Sequence, residues 1–159
     1  MKTLLLVPLF LALLEMTGCS LISTVATSNR MEEARTANLG KDLVPKDGGT
    51  YLIPIATETI SYLGSGSTDW KINDTAFSQP KGSFSQISVI PGIYSINGNK
   101  RVAGGGEASA AINIKKSETI CFYVINPISA PARVEYFKND ACDPLLRSIK
   151  NLNVVDKIK

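Results

Sequence analysis

Thr119-Ile120-Cys121-Phe122-Tyr123-Val124-Ile125 is an apolar run without polar alternation. A strand that buries one side only alternates apolar and polar residues, so a run of this kind reads as a central strand covered on both sides. Other segments keep the alternation. Ile87 and Val89 interleave with Gln86 and Ser88, and Ile112 and Ile114 with Asn113 and Lys115, which predicts strands that bury one side each. Something must therefore cover the second side of the 119–125 strand. The candidate is the C-terminal segment, where Asp143 as N-cap and Pro144 as first helical residue precede Leu145, Leu146, Ile149 and Leu152 at helical spacing. An amphipathic helix there would also carry Cys142 towards the sheet.

From Thr50 onward, short β-branched and aromatic stretches alternate with turn residues every 8 to 12 positions, the pattern of an antiparallel β-sandwich. Strands are predicted near Tyr51 to Ile55, Glu58 to Leu63, Asp69 to Ile72, Ser83 to Ile90, Ile93 to Asn97, Ala108 to Lys115, Thr119 to Asn126 and Arg133 to Phe137. Gly64-Ser-Gly-Ser67, Asn73-Asp74, Pro80-Lys-Gly82, Pro91-Gly92, Asn97-Gly98, Gly104-Gly-Gly106 and Asn126-Pro127 supply the turns. The expected fold is mainly β: an antiparallel sandwich of about seven to eight short strands over residues 50–159, ending in the amphipathic helix. Residues 19–49 are small and polar and read as a tether, within which Asn29 to Ala37 has the capping pattern of two helical turns.

The 159 residues include 44% hydrophobic and 19% charged side chains, an ordinary globular balance. The net charge of +3 is scattered, with no basic run beyond Lys100-Arg101 or Lys115-Lys116, so a nucleic-acid footprint is missing and no such partner is expected. No histidine is present. The commonest general base and the commonest zinc and copper ligand are thereby removed, and neither catalysis nor a metal or cofactor is expected.

The first residues read as a leader. Lys2 is followed by the apolar stretch Leu4 to Leu14, too short for a spanning helix, which needs about 20 residues. Met16-Thr17-Gly18-Cys19 then resembles the lipobox of bacterial lipoproteins, with Met16 where leucine is usual and Glu15 closing the apolar stretch. The resemblance implies that residues 1–18 are removed and that Cys19 carries diacylglycerol, making membrane lipid a partner. Ser20, rather than aspartate, implies the outer membrane, with the domain facing the periplasm. The alternative is a plain cysteine beside an ordinary secretory cleavage site. Cys121 and Cys142 remain, and in an oxidising compartment such a pair is expected to bridge, though Cys121 also fits as a small buried apolar residue.

Ile72-Asn-Asp-Thr75, Ser88-Val-Ile-Pro91-Gly92-Ile-Tyr94-Ser-Ile96 and Glu118-Thr-Ile-Cys-Phe122-Tyr123-Val124 together resemble uncharacterised bacterial lipoproteins with small PEGA-like or transthyretin-like β-sandwich domains. That likeness implies an envelope module without catalysis. Among the residues themselves, Trp70, Tyr94 and Tyr123, with Tyr136, are candidates for ligand or partner contact, against the alternative that they fill the core. Gly104-Gly-Gly-Glu107 reads as a hairpin rather than a phosphate cradle, since no helix and no Gly-Lys-Ser/Thr follow. Ser65 and Ser67 would need a lysine as base to act as nucleophiles. Asp69, Asp74, Glu107 and Asp140 lack calcium-loop spacing and read as solvated. The expected function is a membrane-anchored, non-enzymatic module binding an envelope protein; the alternative is a small-ligand or glycan-binding lipoprotein around Trp70 and the Gly64 and Gly104 loops.

Overall fold

The computed structural model describes residues 32–57, 67–101, 105–127, 130–149 and 151–152. Within them run ten strands: β1 Tyr51–Ala56, β2 Thr68–Ile72, β3 Thr75–Gln79, β4 Ser83–Phe84, β5 Ile87–Ser88, β6 Gly92–Lys100, β7 Glu107–Ile114, β8 Thr119–Ile125, β9 Arg133–Lys138 and β10 Asn151–Leu152. Helical residues 32–37 form α1, and a 3₁₀ turn Asn139–Cys142 leads into α2, Asp143–Arg147. The strands form two sheets, ordered β10-β4-β1-β8-β9, with β5 also on β1, and β3-β2-β6-β7. None of the described helices is long and apolar enough to cross a membrane.

The smaller sheet is antiparallel throughout, whereas β1 runs parallel to β8 and β10 parallel to β4, so the larger sheet is mixed rather than antiparallel. Parallel pairing suits strands buried on both sides, and β1 and β8 are such strands. Leu52, Ile120, Phe122 and Val124 meet Trp70, Ile72, Tyr94, Ile96 and Ile112 of the smaller sheet in the main core. On the reverse side Ile53, Ile55 and Cys121 meet Val44, Cys142, Leu146 and Ile149 in a second core. The expected cover for the 119–125 strand is thus in place.

The cover is built differently from the expectation in two respects. α2 ends at Arg147, and Asn151 and Leu152 continue as a strand beside β4. The helix stops because Ser148 Oγ donates to Leu145 O at 2.6 Å, while Asn38 Nδ2 donates to the carbonyls of Ile149 at 2.9 Å and Arg147 at 3.4 Å. Late helical carbonyls need partners, and an asparagine from another segment supplies them here. Arg147 Nη1 returns a bond to Asn38 O at 2.8 Å. The described part of the segment read as a tether is accordingly packed, with Ala34, Asn38 and Val44 buried.

The strand expected over Ser83 to Ile90 is interrupted. β4 and β5 keep one continuous register on β1, and the gap falls where Ser85 stands opposite Pro54. Ser85 N–H donates to Pro54 O at 3.2 Å, but proline has no N–H to return the bond, so the ladder breaks for two residues. Gln79 Nε2, buried, joins the same place by donating to Pro54 O at 3.0 Å and Ser83 O at 2.7 Å. β3 was not expected from the sequence, and the strand predicted at Glu58 to Leu63 lies outside the described residues.

Candidate partner-binding surface

β9 closes one edge of the larger sheet, and its register on β8 sets Phe137 beside Cys121, Tyr136 beside Phe122 and Glu135 beside Tyr123. Alternation puts Glu135 and Phe137 on the outer side with Tyr123. There the Tyr123 and Phe137 rings stack, with centroids 6.3 Å apart and planes 7° apart. Tyr123 donates its hydroxyl proton to Glu135 Oε2 at 3.0 Å, and Arg133 Nη2 donates to Glu135 Oε1 at 2.8 Å. Burial, and then the bond to Glu135, push the Tyr123 phenol above its usual range; the Arg133 bond first, then the Tyr123 bond, hold the Glu135 carboxyl below its own.

Phe137 is 39% exposed, and Tyr136, on the opposite side of β9, is 49% exposed. An edge that offers aromatic rings framed by an arginine–carboxylate pair has the composition that protein interfaces favour. Of the aromatic residues singled out in the sequence, Tyr123 belongs to this surface, and Tyr136 is exposed on the reverse side of the same edge strand. Trp70 and Tyr94 are on neither side. Trp70 lies between the sheets, edge-on to Phe122 with centroids 5.1 Å apart, and its indole N–H has no partner among the described residues. Tyr94 is buried beside it and donates its hydroxyl proton to Ile90 O at 2.8 Å, which pins the Pro91-Gly92 turn. Phe137 and Glu135 complete the surface and were not singled out; only the strand containing them was legible.

The outer side of the smaller sheet is polar. Asp69, Lys71, Asn97, Asn99 and Glu107 border a shallow depression of about 380 Å³, and Asp69 is paired with Arg101. Lys100 at the end of β6 turns the other way: its Nζ donates to Thr57 Oγ1 at 3.0 Å, and burial holds the ammonium below the usual lysine range. Ser67 lies beside Arg101, whose N–H donates to its carbonyl at 2.8 Å. Ser65, Gly64 and Gly104 lie outside the described residues, as does Cys19.

Cys121 and Cys142 stand at disulfide distance, with Cα atoms 5.7 Å apart, inside the range a bridge requires. The pair ties the 3₁₀ turn to the middle of β8. Among the described residues, no group of three or more His, Cys, Asp or Glu side chains is placed to hold a metal. No protein-family model matches this sequence, and no curated protein matches it.

Proposed function

We propose that the protein is a lipoprotein of the bacterial envelope, held by an acylated Cys19 at the outer membrane, whose β-sandwich faces the periplasm and binds another envelope protein without catalysing a reaction. The observation that carries this reading is Met16-Thr17-Gly18-Cys19 at the end of a leader with a basic start and the apolar stretch Leu4 to Leu14. The Cys121–Cys142 pair supports the compartment, because disulfides persist where the surroundings oxidise. The Tyr123–Phe137 surface on the two-sheet fold is a suitable contact for a partner.

Membrane fractionation and intact mass test the reading together. The membrane-extracted protein is expected to lack residues 1–18 and to carry acyl mass on Cys19, and Cys19→Ser is expected to stay unprocessed by the lipoprotein route. An unacylated wild-type chain that is cleaved elsewhere overturns the proposal. The glycan-binding alternative draws its support from the depression bordered by Asp69, Asn97 and Asn99, whose carboxylate and amides suit sugar hydroxyls. A titration with envelope oligosaccharides against wild type and Asn97→Ala distinguishes it, since only that reading expects binding that the substitution weakens.

A further inference from the structure

We propose that the protein pairs with a second copy of itself through the open edge of β3, joining two smaller sheets into one continuous sheet.

The parity of the hairpin decides which groups are available. Asn73 and Asp74 form a two-residue turn closed by Ile72 and Thr75, so Thr75, Phe77 and Gln79 exchange bonds with β2. Asn73 N–H donating to Ser95 O at 2.8 Å sets the same parity on the β6 side. Ala76 and Ser78 therefore turn N–H and C=O away from β2, and no described strand lies beyond β3.

Of the other edges, β7 opens with the charge of Glu107 and runs beside β9 of the larger sheet, and the remaining two are guarded. β9 carries Arg133, Glu135 and Lys138, and β10 spans two of the described residues. Charges and short strands are the usual means of blocking edge pairing. β3 reads Thr75-Ala-Phe-Ser-Gln79, with neither a charge nor a proline.

The occupant follows from self-complementarity. With a two-fold axis beside Phe77, Ala76 of one copy faces Ser78 of the other, and the outward groups form four N–H···O bonds. The two Phe77 residues then form a non-hydrogen-bonded pair, the closer kind, with Cα atoms about 4.5 Å apart. Phe77 already packs against the main core, so the second ring extends that core across the axis. The same register sets Asp74 opposite Pro80 of the second copy, one residue from its Lys81, so acid meets base at both ends. No shift of register keeps all three matches.

Mild oxidation of the purified full chain in detergent tests the pairing, with wild type as the baseline for Cys19. Phe77→Cys is expected to cross-link to itself. Ser78→Cys is not, because its Cα would lie beyond the roughly 7 Å that a disulfide can span from its symmetry mate. Ala76→Pro removes an outward N–H at an edge position where proline is tolerated. Two bonds are lost per dimer, so dimerisation measured by sedimentation should weaken about tenfold, with circular dichroism and Trp70 fluorescence unchanged. A monomeric wild type, equal cross-linking of the two cysteine variants, or a dimer indifferent to Ala76→Pro overturns the proposal. So does an edge that takes up an extended peptide of another protein while the chain stays monomeric.

Discussion

Gly98→Ala should destabilise the protein, although alanine is the better residue for a strand in isolation. Gly98 sits inside β6, across from Trp70 in the ladder. A Cβ there would stand 2.5 Å from Trp70 Cζ3 and 2.5 Å from Val124 Cγ2. Carbon atoms pack best at about 3.5–4.0 Å, so the ring or a strand must move by about 1 Å. Neither has room: Trp70 is 1% exposed and braced edge-on by Phe122. Overpacking of this kind costs about 1–3 kcal/mol. Replacing glycine in a strand interior returns about 0.5–1 kcal/mol, leaving a net loss of about 1–2 kcal/mol. Trp70 is the only tryptophan and gives a direct optical readout of urea unfolding. With a slope of about 2 kcal/mol per molar urea, the midpoint should fall by about 0.5–1 M. Val124→Ala vacates one of the two contacts, so the double variant should be more stable than the sum of the single losses predicts. A Gly98→Ala midpoint equal to or above wild type would refute the reasoning.

The remaining predictions concern the cover layer and the acid limb of stability. The double variant Cys121→Ala/Cys142→Ala releases a loop with a sequence separation of 21, and should lose about 3 kcal/mol in the same urea assay; a loss below a few tenths would show that the bridge does not constrain the unfolded chain. Glu118 is held below its ordinary pKa of 4.5 by the Lys138 hydrogen bond first and by the Lys115 N–H. A depressed carboxylate contributes fully above its unfolded pKa, and that contribution disappears as pH falls through the lower folded value. Glu118→Gln should therefore weaken the neutral-pH protein while flattening its acid limb below about pH 4.5; parallel pH profiles for the two proteins would count against it.

The legible parts of the fold were those whose side chains carry the burial pattern. The 119–125 run announced a strand covered on both sides, and Cys142, Leu146 and Ile149 supply that cover. β3 was invisible because it is an edge strand: among Thr75, Ala76, Phe77, Ser78 and Gln79, one large apolar residue gives no period to read. Asn97-Gly98 looked like a turn, yet β6 runs through it to Lys100. The glycine is there to admit the Trp70 ring, a reason that lies on another strand. Pro54 broke the 83–90 strand from across the sheet, which no local pattern could reveal. At the candidate surface, Tyr123 was legible as an aromatic residue, but its stacking on Phe137 depended on the β8–β9 register. Trp70 and Tyr94 had the same chemical credentials and went into the core instead.

β1 and β8 are a wall with a room on each side. Leu52 and Phe122 face one core while Ile53 and Cys121 face the other, so neither core can be opened without stripping a surface that the second one needs. The cover layer cannot melt as a separate unit and leave an intact sandwich behind. Unfolding is then expected as a single cooperative transition, checked by whether the heat absorbed in calorimetry equals the enthalpy inferred from the steepness of the curve.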